Sequence, residues 1–345
     1  MITDQRNTTL GIVAMKSPYV ERFLMELDKL GLYSKIVVIC ESLEPIPIRN
    51  MIVVNQSVEA SYYSALREHQ VDVLVHLGVP VCTYKLSHNE EISVKLMTAL
   101  LETCDNSDIQ HLVYLSSSCV YKPFKDDWNA LSETDITFFP TDACNERIAE
   151  NRLQDYIVDN PHINLTLLRP ATVLGPSSGD LDVLESNSWR RIGIAKSLPM
   201  QFTHEYDLID SIIKVVKDRV GGIYNVASLG VIYPREILEI TGGKTWKFPK
   251  HIPFVLMSVL VRILTFHKLT RYEWSFLRRP LILSTAKFCE EVGFTPKFTS
   301  TDAAVEYLFS NDVSSLDVDL INDGIIDVKQ PRNVLSQWIR RIFQH

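Results

Sequence analysis

A chain of 345 residues with 46% hydrophobic and 22% charged side chains has enough apolar material for one large core or two domains, and too much of it for a disordered polymer. Its net charge of −7 and isoelectric point near 5.7 exclude a large nucleic-acid footprint, which needs a basic face to displace counterions from phosphate. Residues 1–9 lack the basic start and apolar stretch of a signal peptide, so export by that route is not expected.

Apolar, β-rich runs recur at Leu10–Met15, Ile36–Cys40, Met51–Val54, Val73–Leu77, Leu112–Ser116 and Leu165–Leu168, with helix-compatible stretches between most of them. This alternation predicts an α/β fold: a Rossmann-type, doubly wound parallel sheet with helices on both faces. Between the first two strands, Pro18–Leu30 places Val20, Phe23, Leu24 and Leu27 on one helical face, and Gly31 follows as a stop. Strand, tight turn and helix in that order open a dinucleotide-binding unit.

Beyond residue 176 the pattern loosens. A helix is expected near Asp207–Val216, a strand at Gly222–Val226 and helices around Pro234–Ile240 and Ile252–Phe266. The last of these is the longest apolar run. It contains Pro253 and Arg262 and falls short of the roughly 20 residues that cross a bilayer, so it reads as a core or interfacial helix. The expected organisation is a Rossmann-like domain over 1–176, to which 200–228 return, a smaller C-terminal α/β lobe over 177–310, and an acidic linker with an amphipathic helix over 311–345. In that final helix Val334, Leu335, Trp338, Ile339, Ile342 and Phe343 share one face. The stripe needs cover from the chain's own core, from a partner groove or from an anionic membrane surface.

The six cysteines, Cys40, Cys82, Cys104, Cys119, Cys144 and Cys289, form no CxxC pair and have no histidine at zinc-ligand spacing. They read as reduced thiols of a cytoplasmic protein, and no metal site is expected.

Five segments carry a resemblance: VDVLVHLGVP at 71–80, HLVYLSSSCVY at 111–121, LTLLRPATVLGP at 165–176, MQFTHEYDLIDSII at 200–213 and GGIYNVAS at 221–228. Together, and in this order, they resemble the extended short-chain dehydrogenase/reductase superfamily, the NAD-dependent epimerase/dehydratase group, over roughly residues 8–308. The stretch at 276–300 is similar to the family's closing strand and helix before a Gly-Phe-x-Pro turn. Most of these segments are ones the fold itself needs.

The resemblance implies a GxxGxxG turn after the first strand, whose glycines let the backbone approach a pyrophosphate. Aligned on GIVAMKSPYVERFL, those positions are Met15, Pro18 and Glu21. A methionine in a left-handed backbone costs on the order of 1–2 kcal/mol, a proline removes an N–H donor, and a glutamate places negative charge where the pyrophosphate would lie. Lys16 and Ser17 are the residues that would have to build a different phosphate cradle. Val54–Ser57 stands where the family has Gly-Asp, and Ser93 where it has Asn. Glu41, just past the second strand, is placed to bind a ribose hydroxyl or simply to be solvated.

The resemblance also implies a Ser or Thr at the end of strand five and a Tyr-x-x-x-Lys on the next helix. Ser117 matches the hydroxyl. Aligning DACNERIAE on YxxxKxxxE puts Asp142 at the tyrosine and Glu146 at the lysine. Those carboxylates, four apart on one helical face, read either as an acid/base pair or as a capped, solvated helix start. His204 and Asp207 border the cleft by resemblance, and His204 reads as a hydrogen-bonded fold residue. Arg169 reads either as a ligand for a substrate carboxylate or phosphate or as a structural partner of an acid.

The expected function is therefore that of an epimerase/dehydratase-like protein that has lost the usual NAD(P) binding and Tyr-Lys catalysis. Such a pseudoenzyme would act as a binding or assembly protein without a cofactor, on a small molecule or a protein partner, with a homodimer possible. The alternative is an active NAD- or NADP-dependent epimerase, dehydratase or reductase with a remodelled site.

Overall fold

The computed structural model describes residues 8–14, 19–40, 43, 46–55, 64–77, 90–121, 130–136, 145–177, 199–233, 236–237, 255–256, 258–259 and 281–312. Seven strands form one parallel sheet: β1 (Thr9–Val13), β2 (Lys35–Cys40), β3 (Met51–Asn55), β4 (Val73–His76), β5 (His111–Leu115), β6 (Asn164–Pro170) and β9 (Gly222–Val226). Their order is β3-β2-β1-β4-β5-β6-β9, the Rossmann order extended by one strand. Every neighbouring pair is parallel. Strands covered on both faces need no polar side, which is why β1, β2 and β4 read as unbroken apolar runs in the sequence.

One face is covered by α1 (Val20–Leu30) and α5 (Glu205–Asp218). The four α1 residues expected from helical spacing, Val20, Phe23, Leu24 and Leu27, are all buried there with Leu208, Ile209, Ile212, Val215 and Val216 of α5. Gly31 ends α1 at φ 57°, a left-handed conformation that costs glycine nothing, and its N–H reaches the carbonyls of Leu27 and Asp28. The other face is covered by α2 (Ser64–Glu68), α3 (Glu90–Asp105) and α4 (Asn145–Asp159), which bury Leu66, Leu100, Cys104, Ala149 and Leu153 against Leu74, Leu112 and Leu167.

Beside the main sheet, β7 (Thr172–Leu174) and β8 (Phe202–His204) pair in parallel. Against them lies α7 (Ser300–Asp312), a helix the periodicity did not lead us to expect. It buries Ala303, Ala304, Tyr307 and Leu308 with Leu174, Phe202 and Ile232. The preceding helix, α6 (Ala286–Val292), joins the main core instead, with Phe288, Val292 and Phe294 on the α1/α5 side. The helix expected over 234–240 is described only at 236–237, and that over 252–266 only at 255–256 and 258–259; all six of these residues are helical. The expected helix at 333–343 lies outside the described residues. Among the described residues no helix is long and apolar enough to cross a membrane.

Candidate functional site

In a sheet of this order the crevice for a ligand opens at the carboxyl ends of β1 and β4, where the winding reverses. Of the side chains expected at the cofactor loop, Met15, Lys16, Ser17, Pro18 and Glu41 lie outside the described residues, as does Asp142. Glu21 is described: it sits, exposed, in the first turn of α1.

At the end of β4, His76 stands beside Tyr114 of β5, the two rings stacked with centroids 5.1 Å apart. Both are buried. Burial pushes the His76 imidazole down to about 4, so it is neutral at pH 7. Burial first, then the charges of Glu146 and Glu150, push the Tyr114 phenol upward.

Ser117 follows β5. Its Oγ accepts a 3.2 Å hydrogen bond from the Cys119 N–H and so caps a 3-10 turn, Ser118–Val120. Helix α4 packs against that turn. Glu146 lies in the first turn of α4 and is buried rather than solvated; the cap expected at Asp142 lies outside the described residues.

One turn further along α4, the Glu150 carboxylate accepts from Ser116 Oγ at 2.5 Å and from Arg169 Nε at 2.9 Å and Nη2 at 2.6 Å. Arg169 Nη1 donates to the Tyr121 hydroxyl (2.9 Å) and to the Glu133 carbonyl (3.0 Å). Tyr121 donates on to Asn225 Oδ1, while the Asn225 N–H donates to Glu133 Oε1 at 2.8 Å. The Asn225 amide also bonds the carbonyls of Leu131 and Ser284. Arg169, Glu150, Tyr121, Glu133 and Asn225 are all buried, and together they floor the site. Arg169 is therefore the structural partner of an acid. Burial, partly offset by Arg169, pushes the Tyr121 phenol up to about 12, which keeps it protonated and unsuited to acid/base work at neutral pH.

Sequence reasoning missed this floor, apart from the choice it left open for Arg169. Its signal was Glu150, the last letter of the aligned DACNERIAE string, followed 19 residues later by Arg169 inside an apolar strand. A buried arginine of this kind requires a buried acid.

His204 is also a fold residue. Its Nδ1 accepts from the Tyr206 N–H at the start of α5, its Nε2 bonds Glu306 of α7, and its ring stacks on Phe298 at 3.8 Å. Asp207, pushed upward by burial, accepts from Ser228 Oγ and from the N–H groups of Lys297 and Phe298. Glu205, not foreseen, is buried and holds the Ser177 N–H at 2.7 Å. No group of three or more His, Cys, Asp or Glu among the described residues could hold a metal ion.

The strand order, the hydroxyl at the end of β5 and the helix packed beside it define a Rossmann-type protein of the short-chain dehydrogenase/reductase class. The model of the NAD dependent epimerase/dehydratase family matches residues 43–227, and the chain belongs to that family. Uncharacterized proteins of Mycobacterium tuberculosis strain H37Rv and Mycobacterium bovis are 20% identical to it over 259 residues, 70% of this chain and 66% of theirs. The chain thus spans just under two thirds of the length of these relatives.

Among solved structures, UDP-glucuronic acid 4-epimerase from Bacillus cereus in complex with NAD is similar with a TM-score of 0.63 at 16% identity, covering 89% of this chain and 99% of that one. UDP-glucose 4-epimerase from Thermotoga maritima with UDP-glucose gives 0.64 at 15% identity, covering 89% and 100%. These likenesses show the fold alone.

Proposed function

We propose that the chain keeps the architecture of its family without the usual redox chemistry, and serves as a binding or assembly protein for a small molecule or a protein partner. The observation that carries this reading is Glu146: a buried carboxylate near enough to Tyr114 for its charge to push that phenol upward, at the position the resemblance gives to an ammonium. An ammonium there would favour a phenolate and hold a nicotinamide ribose. A carboxylate reverses the field, and a unit charge at 4 Å amounts to about 4 kcal/mol at a protein-like dielectric.

Glu21 adds a second negative charge at the helix start that would face a pyrophosphate. Met15 and Pro18 stand where the fold's phosphate turn wants glycine. This set of side chains does not fit NAD or NADP. A cytoplasmic location belongs to the same reading, in keeping with the thiols of Cys40, Cys104 and Cys289, which form no disulfide.

Calorimetric titration with the oxidised and reduced forms of NAD and NADP tests the proposal, and no binding in the micromolar range is expected. A micromolar dissociation constant for any of the four overturns it. The protein would then be an NAD(P)-dependent epimerase, dehydratase or reductase with Ser117, Asp142 and Glu146 as a remodelled acid/base set, and Ser117→Ala or Glu146→Gln should abolish its turnover.

A further inference from the structure

Arg22 lies in the first turn of α1, at the end of the sheet where the crevice opens. The residue is exposed, yet its guanidinium is laid on a ring: the guanidinium carbon is 3.6 Å from the centre of Tyr206, in the first turn of α5. Tyr206 makes T-shaped contacts with His204, at 4.8 Å, and with Phe298, at 5.7 Å. His204 stacks on Phe298 and bonds Glu306 of α7. A continuous line of side chains thus runs from α1 over the start of α5 to α7: Arg22, Tyr206, the His204/Phe298 stack and Glu306.

The charges follow the same line. Burial pushes the Tyr206 phenol up, and the carboxylates of Glu306, Glu205 and Glu26, one each from α7, α5 and α1, push it further. Arg22 opposes that rise, and it also opposes the rise that burial gives the Glu205 carboxyl. Lys297, the neighbouring cation, is bonded to Asp210. Arg22 therefore offsets acids contributed by three helices, and without it their mutual repulsion falls on the joint between α5 and α7.

We infer that Arg22 is a strap between the mouth of the crevice and α7, so that drawing its guanidinium off Tyr206 loosens α7 by way of Tyr206 and His204. A group bound in the crevice that takes hold of this exposed arginine releases the helix. By reciprocity, a partner that holds α7 in place settles Arg22 on its ring. The coupling is built into side chains of the chain itself and holds whatever ligand the crevice takes.

Hydrogen exchange of the full chain tests it. Arg22→Ala is a mild change for α1 itself, because the side chain is exposed and alanine favours a helix. Exchange over Ala303–Phe309 should nevertheless quicken about threefold, the effect of losing one exposed cation–π contact, while the amides of β1 and β4 keep their protection. Arg22→Lys keeps a cation for the ring and should restore most of the protection of α7. Glu21→Ala, at the exposed neighbour in the same turn, should leave α7 unchanged. In a His204→Ala background, where the line is already cut, Arg22→Ala should add nothing.

Unchanged exchange in α7 of the Arg22→Ala protein would overturn the inference, as would a lysine variant as fast as the alanine one. An equal effect of Glu21→Ala would show that α7 follows the stability of α1 as a whole, and full additivity of Arg22→Ala with His204→Ala would show that the two act on α7 separately. Either of these results also overturns the strap.

Discussion

Arg169 and Glu150 face each other as a two-point ion pair, Nη2 to Oε2 at 2.6 Å and Nε to Oε1 at 2.9 Å, with both side chains wholly buried. The two N–H groups of Nη1 are used by the Tyr121 hydroxyl and the Glu133 carbonyl. The pair therefore ties β6 and α4 to the segment around Glu133. Truncating one partner leaves the other as an uncompensated buried charge. Glu150→Ala should accordingly cost about 3–5 kcal/mol of unfolding free energy, read from urea denaturation. Tyr121→Phe, which removes a hydroxyl used both as acceptor and as donor, should cost about 1–3 kcal/mol. Lys29→Ala, which breaks the exposed pair with Glu26, should stay within about 1 kcal/mol. A Glu150→Ala protein as stable as Lys29→Ala would refute the role given to the floor.

Two buried histidines set a pH dependence. His76 and His111 are both pushed down to about 4, chiefly by burial, from an ordinary value of 6.5. His111 spends its Nε2 on Thr166. The unfolded chain takes up protons that the fold refuses, so the histidine contribution is complete above about pH 6.5 and is lost as the pH falls towards 4. The amount is on the order of 3 kcal/mol for each histidine. Glu205 and Asp207, pushed upward by burial, act in the opposite direction over the acid range. The clean measurement is therefore the stability difference between the wild type and His111→Asn, followed from pH 7 to 4.5. That difference should shrink as the pH falls; a constant gap would mean that His111 does not titrate in this way.

Gly175 illustrates a constraint of close approach. A Cβ at this position would lie 2.3 Å from Glu205 Cγ and 2.6 Å from its Oε2, while Glu205 is held by the Ser177 N–H and hydroxyl. Gly175→Ala should thus cost about 1–3 kcal/mol as overpacking. In Glu205→Ala the same glycine substitution should be nearly free, because the obstructing carboxylate has gone. Thermal unfolding of the two single variants and the double variant supplies the cycle. Strict additivity would show that the glycine is held for another reason.

The legible parts of the fold were those encoded locally. Val20, Phe23, Leu24 and Leu27 announced α1 by spacing and are its four buried residues, and the doubly buried strands announced themselves as runs without a polar side. Helix α7 carries Ala303, Ala304, Tyr307 and Leu308 inward, but alanines make a weak stripe. Its better signal was a cap: Thr299 and Asp302 bond each other's N–H groups with their side chains, a reciprocal box three residues apart. At the site, Ser117 and Glu146 could be placed by alignment, and the helical pattern said nothing about Glu146 being buried. The floor was illegible because its hydrogen-bonded partners lie between 19 and 104 residues apart in the chain. Which of several acids meets an arginine is decided by tertiary packing.

The attachment of α7 offers a final test. His204 serves three elements: its Nδ1 accepts from the Tyr206 N–H at the start of α5, its Nε2 bonds Glu306 of α7, and its ring lies on Phe298 just before α7. In His204→Ala all three are lost together, and the cap alone is worth about 0.5–2 kcal/mol. The main sheet is held by other contacts, since β1, β4 and the α1/α5 core do not pass through this ring. The lobe should therefore open separately from the sheet. Hydrogen exchange should quicken roughly tenfold over Ala303–Phe309 while the amides of β1 and β4 keep their protection. Glu306→Gln, which retains a hydrogen-bonding group opposite His204, should show a smaller effect in the same helix. An increase spread evenly over the sheet and α7 would show that the two open as one unit, and unchanged exchange in α7 would show that His204 does not hold it.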